Sequence, residues 1–201
     1  MKLKSIKKLH YKPVKYDIET QNHNFIANGI VIHNSNARFV FDGEKMYCGS
    51  RTEWKRKVEG NLWWRCLEQY PQIEEFCRNF PHTAIYGEVF GFNKGFDYGV
   101  AKGKLGFRAF DILTTYTAER QAWDSHDEAR AWAKEIPFVT EIYRGPFDYE
   151  LLSSIAEGDM PEGEGKHIME GIVVKPLEER WTYECGRLQL KLVSSRYLEK
   201  N

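Results

Sequence analysis

No stretch of this 201-residue chain approaches the roughly 18 consecutive apolar residues that cross a bilayer, which excludes a membrane-spanning helix. The lysine-dotted start, MKLKSIKKLHYKP, lacks the apolar centre of a secretory signal, so the chain reads as cytoplasmic. Net charge is absent as well: 29 Lys and Arg balance 29 Asp and Glu, and nothing global marks a polyanion binder. Cys48, Cys66, Cys77 and Cys185 form no C-x-x-C pair, which argues against a zinc site or a disulfide framework. Reduced, buried thiols are the expectation. Internal repeats and low-complexity tracts are missing too. What is there, 42% hydrophobic, 14% aromatic and 29% charged residues, suits one ordinary globular domain or a domain with a small appendage, and argues against disorder.

Charge is unevenly spread. Residues 1–34 hold six lysines against Asp17 and Glu19, which leaves 23 basic and 27 acidic residues beyond Asn34. That asymmetry points to two unlike pieces. In the first, VKYDIET, HNFIA and GIVIH are short β-type segments, and Asn28-Gly29 is a hairpin signal. Such a piece is too small to bury its own core. It must extend the following domain or await a partner chain.

YDIET, then HNFIANGIVIHN, then Ser35 closely resembles the C-terminal blocks of an intein, the self-excising element of protein splicing. By that resemblance Asn34 is the last intein residue, its side-chain amide attacking its own carbonyl to form a succinimide and break the chain. His33 sits where an imidazole polarises that carbonyl or protonates the leaving amine. Ser35 offers the hydroxyl that accepts an upstream acyl group, and His23 resembles the family's second histidine, which helps proton transfer. The chain has no Cys or Ser nucleophile at residue 1. The resemblance therefore implies the C-terminal half of a split intein, its lysines suited to an acidic partner. An artificial fusion is the alternative.

Beyond Asn34, RFVFDGEKMYCG alternates around Asp42-Gly43 as a hairpin does. LWWRCLEQY and PQIEEFCRNF have helical spacing, with Pro71 at a natural first-turn position. TAIYGEVFG, YGVAKG and LGFRAFDIL read as strands, and the capping box Ser125-x-x-Glu128 announces a helix. YELLSSIA is a further helix, EGDMPEGEGKH a loop, and EGIVVKP and RLQLKLV are strands. The sum is α+β with antiparallel strands and no βαβ rhythm.

Three of these strands carry charge inside apolar runs: Glu88, Glu170 with Lys175, and Lys191. For any one of them the simplest account is alternation on a half-exposed sheet. Together with the aromatic run FRAFDI they describe a cleft for a metal-bound polyphosphate, in which lysines neutralise phosphate, carboxylates hold a metal or a ribose, and an aromatic stacks on the base.

IYGEVFG, FRAFDI, EGIVVKP and LKLVSSRY follow the order of motifs III, IIIa, IV and V of covalent nucleotidyltransferases and look most like the phage-type RNA ligases. The resemblance implies an ATP-grasp-like ligase domain over 35–201 with antiparallel sheets and flanking helices, behind an all-β intein fragment over 1–34. It implies ATP and Mg²⁺ or Mn²⁺ as cofactors, and RNA ends or nicked duplexes as substrates. In that family the lysine of K-x-x-G-x-N takes AMP from ATP, AMP passes to a 5′-phosphate, and a 3′-hydroxyl displaces it. Ser35-Asn36 would supply the tail of that motif, and Arg51 would lie near ribose and phosphates. Glu88 would hold the ribose, Glu170 the metal and Lys191 the α-phosphate, with Lys175 also in the nucleotide site and Phe107 or Phe110 on the adenine.

Both resemblances meet at the Asn34–Ser35 bond, because an intein interrupting K-x-x-G-x-N after its glycine leaves Ser-Asn downstream. The nucleophilic lysine then belongs to an upstream partner chain joined by trans-splicing, in the cytoplasm of a bacterial or phage-infected cell. Lys57-Val58-Glu59-Gly60 is a rival K-x-x-G, but Leu62 stands where Asn or Arg is expected and WKRK reads as a solvated face. In motif V, Lys191 is followed by Val193 where relatives commonly place a second lysine. A DNA ligase core and a non-catalytic nucleic-acid-binding remnant are the alternative functions.

Overall fold

In this computed structural model, residues 5–9, 15–19, 35–92, 98–114, 122–160, 167–183 and 186–200 are described. His23, His33, Asn34, the HNFIA and GIVIH segments, Asn28-Gly29 and Cys185 lie outside them.

Strands β1 (Ser5–Leu9) and β2 (Lys15–Glu19) form an antiparallel pair with Lys7 opposite Asp17. β2 is the expected VKYDIET strand, whereas β1 lies in the lysine-dotted start, where charge hides the alternation. The Asp42-Gly43 hairpin joins β3 (Ser35–Phe41) to β4 (Met46–Gly49), with Asp42 Oδ1 accepting from the Glu44 and Lys45 amides. Helices α1 (Leu62–Gln69) and α2 (Pro71–Asn79) follow. The Asn61 side chain caps α1 by accepting from Trp63 N and Trp64 N, and Pro71 opens α2, where its missing N–H costs nothing.

Next come β5 (Ala84–Phe90), β6 (Gly106–Thr114), β7 (Ala122–Trp123) and α3 (His126–Trp132). The Ser125/Glu128 capping box is formed in full at the start of α3. α4 (Tyr149–Ala156), β8 (Gly171–Val174), β9 (Trp181–Thr182), β10 (Gly186–Arg187), β11 (Leu190–Val193) and α5 (Ser195–Lys200) complete the order. YGVAKG departs from the expected strand: Tyr98–Gly103 turns twice, with positive φ at Tyr98, Gly99 and Gly103, a conformation no strand allows.

The central sheet has the order β4-β3-β5-β6-β7, while β8 pairs with β11 and β9 with β10; these ladders are all antiparallel. The fold is thus mixed α and β with antiparallel sheets. One face of the central sheet builds the main core, where Phe39, Ile85, Val89, Phe107 and Ile112 are fully buried against α1, α2 and α3. Each such side chain contributes about 1.5–3 kcal/mol on burial. Cys48, Cys66 and Cys77 belong to this core; burial pushes all three thiols up, Cys77 to about 12. A smaller core under β8 and β11 is built on Leu152, Ala156, Met169 and Ile172. No helix among the described residues is long and apolar enough to cross a membrane.

Candidate nucleotide site

Because side chains alternate along a strand, the face of the central sheet opposite the main core carries the polar residues. Asn36 on β3 stands opposite Glu88 on β5, and Glu88 opposite Arg108 on β6. The start of β3 is held by Trp63 Nε1, which donates to the Asn36 carbonyl at 2.9 Å. Gly87 makes room for this arrangement, since a Cβ there would lie 2.4 Å from the Phe107 ring.

Glu88 is a carboxylate set into an apolar strand. Its Oε1 is buried and has no hydrogen-bond partner among the described residues. Burial and the charge of Glu170 push its pKa up to about 7, against a smaller opposing pull from Lys191. Lys191 moves the other way: burial lowers its pKa, although Glu170 and Glu88 both favour its charge. These three residues come from β5, from the residue before β8 and from β11, far apart in sequence and mutually within electrostatic reach.

The β8–β11 ladder sets two of them. Lys191 stands opposite Val173, and Gly171 opposite Val193. Gly171 has φ +148°, and a Cβ there would meet the Leu192 carbonyl oxygen at 2.1 Å, so only glycine lets Glu170 enter the ladder at this point. The Ser194 amide bonds the Glu170 carbonyl at 3.0 Å. Tyr98 donates its hydroxyl to Glu170 Oε1 at 2.8 Å, while its own ring is buried against Phe90 and His167. Tyr98 was not singled out by sequence, because the turn that aims it resembles a strand in composition.

Phe107 and Phe110 part company. Phe107 is fully buried in the core, edge-on to Phe39 at 5.6 Å. Phe110 is half-buried on a β-bulge: Tyr86 pairs with Asp111 and Gly87 with Ala109, which leaves Phe110 unpaired on β6. Lys175 reaches this bulge, its Nζ donating to the Phe110 carbonyl at 2.8 Å and to Asp111 Oδ1 at 2.6 Å. Arg187 forks onto both oxygens of the buried Asp111 at 2.9 and 2.8 Å and is itself held by Glu179. Asp111 sits in the same kind of apolar run as Glu88, a signal that sequence reasoning had and did not use. Arg187 and Glu179 left no local signal.

Arg51 is exposed in the loop after β4 and is not drawn into this cluster. Ser35 opens β3, opposite Val89. Lys57 is exposed, its Nζ 5.0 Å from the Trp64 ring on α1, and α1 packs on the other face of the sheet. Among the described residues no group of three or more His, Cys, Asp or Glu is placed to hold a metal. The adjacent pair of Glu88 and Glu170 nevertheless makes a negative site that a cation would relieve, and Mg²⁺ or Mn²⁺ on a nucleotide needs only one or two carboxylates.

Comparison with known proteins bears on the family and the fold. A sequence model of the RNA ligase family matches residues 32–193. Solved structures of Naegleria gruberi RNA ligase share the fold. A lysine-to-alanine variant with ATP and Mn gives a TM-score of 0.66 at 21% identity, covering 84% of this chain and 49% of that one. The protein with pyrophosphate gives 0.65 at 22% identity, with the same coverage. A glutamate-to-alanine variant with AMP and Mn gives 0.65 at 21%, again over 84% and 49%. The chain spans about half the length of these structures. A 33-residue stretch is 61% identical to part of DNA topoisomerase 1 from Pyrococcus furiosus, 16% of this chain and 3% of that protein.

Proposed function

The chain belongs to the RNA ligase family, and from that premise we propose that residues 35–201 are the C-terminal part of an ATP-dependent RNA ligase completed by an upstream partner chain. The observation that carries this reading is the convergence of Glu88, Glu170 and Lys191 on the sheet face that begins at Asn36.

The roles follow from the chemistry of each group. Lys191, on β11, holds its ammonium against the α-phosphate. Glu88 accepts from a ribose hydroxyl at its unpartnered Oε1, and Phe110 stacks on adenine. Glu170, oriented by Tyr98, holds Mg²⁺ or Mn²⁺, which when bound draws charge from the phosphoryl oxygens. The attacking amine is a lysine of the partner chain. It forms an N–P bond to the α-phosphorus as the bond to pyrophosphate breaks, and it loses a proton to solvent. An RNA 5′-phosphate then takes AMP and frees the lysine. Finally the 3′-hydroxyl attacks that 5′-phosphorus, and AMP leaves as the phosphodiester forms.

Residues 1–34 act as the C-terminal half of a split intein that brings the two parts together. Asn34 cyclises onto its carbonyl and cuts the bond to Ser35, whose hydroxyl has already received the upstream segment. The position of Ser35-Asn36 supports this reading. Asn36 lies beside Glu88, so a K-x-x-G segment ligated to Ser35 arrives next to the residues that hold the nucleotide.

The test is strand sealing by the joined protein on nicked duplexes whose 3′-hydroxyl strand ends in RNA or is all DNA. Sealing restricted to the RNA-ended nick is expected, because a 2′-hydroxyl requirement is read at the nick. Equal sealing of both assigns the chain to a DNA ligase core, and no AMP transfer at all assigns it to a non-catalytic remnant.

A further inference from the structure

We propose that Arg187 is a positioning residue for the adenine base: by locking the Asp111 carboxylate it holds the Phe110 bulge, and so sets the grip on the purine without touching the nucleotide. This rests on the reading of the polar sheet face as an adenylate site.

A bulge residue lacks the ladder bonds that orient its neighbours, so Phe110 needs another hold. Its carbonyl accepts from Lys175 at 2.8 Å, and the adjacent Asp111 is the anchor of a four-charge cluster. Asp111 is 6% exposed at the side chain, Arg187 12%, and Lys175 and Glu179 15% each. Two cations and two anions balance. Arg187 is the member that ties the cluster together: it bonds Asp111 through two nitrogens and Glu179 through two, and its guanidinium lies 4.2 Å from the Trp123 ring centroid. Trp123 stands on β7 opposite Leu113 of β6, so the clamp closes on the same strand that carries the bulge. Burial disfavours the Arg187 charge, but its bonds to Glu179 and Asp111 outweigh that and raise its pKa further. A planar fork is the side chain suited to this double bidentate role.

Removing Arg187 strips Asp111 Oδ2 of its partner inside a buried site. Lys175 then becomes the main counter-charge of Asp111, and its bond to the Phe110 carbonyl weakens in competition. The consequence is specific to the base. Phosphate contacts, on Lys191, lie on a different strand and are spared.

The experiment measures binding of ATP and of inorganic triphosphate, each with Mn²⁺, to the full chain and to Arg187→Met, Arg187→Lys and Glu179→Gln, with thermal melts of each. Base stacking commonly supplies about tenfold or more in affinity. Arg187→Met should therefore weaken ATP about tenfold with triphosphate changed less than about twofold, Arg187→Lys should fall between, and Glu179→Gln should show a smaller loss of the same kind. Equal weakening of both ligands means a merely structural role and overturns the proposal. So does an unchanged ATP-to-triphosphate ratio in Arg187→Lys and Glu179→Gln, a result that stands even if Arg187→Met fails to fold. If the unaltered chain shows no preference for ATP over triphosphate, the adenylate-site reading itself falls, and this inference with it.

Discussion

Glu88 and Lys191 lie close enough for each to favour the other's charge, yet burial pushes both toward their neutral forms, Glu88 up to about 7 and Lys191 downward. An opposite-charge pair displaced this way is desolvated more strongly than it is paired.

The pair makes stability depend on pH. Glu88 has a folded pKa above its ordinary 4.5, so its contribution is fully present below that value and is lost as pH rises through about 7. Lys191 acts with the opposite sign, its contribution being lost as pH falls through its lowered value. Forcing Glu88 to ionise costs on the order of 3 kcal/mol. Glu88→Gln should therefore raise the melting temperature of the ligand-free chain by roughly 6–12 °C at pH 8 and change little at pH 5, as thermal melts at the two pH values will report. Equal stabilisation at both would mean that Glu88 is not held near neutrality.

Tyr98 holds Glu170 Oε1 through a 2.8 Å hydrogen bond. Loss of such an outer partner commonly weakens a metal site by about 10–100-fold. Tyr98→Phe should lower the apparent Mn²⁺ affinity of the ATP-bound chain by about tenfold, leaving the ring packing on Phe90 and His167 intact. Manganese titration monitored by nucleotide binding checks this, and an unchanged midpoint would remove Tyr98 from the site.

Gly171→Ala places a methyl group 2.1 Å from the Leu192 carbonyl. The β8–β11 ladder must open to admit it, and strain of this kind belongs to the large class of mutational effects, about 3 kcal/mol or more. Urea denaturation should show that loss, together with loss of ATP binding as Glu170 and Lys191 separate.

Lys57→Ala should leave AMP transfer in the joined protein unchanged. The Lys57 ammonium lies over the Trp64 ring, an exposed contact worth about 0.5–1 kcal/mol. Loss of adenylation in this variant would make Lys57 the nucleophile.

Much of the site was legible because a charge inside an apolar strand is costly and therefore informative. Glu88, Glu170 and Lys191 each announced themselves this way, and alternation alone put Asn36, Glu88 and Arg108 on one face once β3, β5 and β6 were strands. The Ser125 cap and the Asp42-Gly43 turn were equally local and equally readable. Alternation broke at Asp111, because the Phe110 bulge shifts the count by one and keeps Asp111 on the polar face with Tyr86. Lys175 could be assigned to the candidate site by motif but not aimed, because its partners Phe110 and Asp111 lie more than sixty residues away. Tyr98 and Arg187 owe their roles to a left-handed turn and to a four-residue ion cluster, neither of which has a sequence period.

The splicing chemistry and the ligase chemistry separate by mutation. Asn34→Ala should block release of residues 1–34 from the joined protein. Glu170→Ala should leave that release intact while abolishing metal-dependent AMP transfer. Denaturing gels and intact mass resolve the two. Normal splicing by Asn34→Ala would place the junction elsewhere.

The central claim is that this chain gains its nucleophilic lysine by being spliced to a partner at Ser35. Mixing it with the partner chain that carries the K-x-x-G segment, adding Mg²⁺ and ATP, and weighing the intact product tests that claim most directly. A single product that lacks residues 1–34, is joined at Ser35 and is heavier by one AMP is the predicted result. AMP attached to this chain alone, with residues 1–34 still in place, would contradict it.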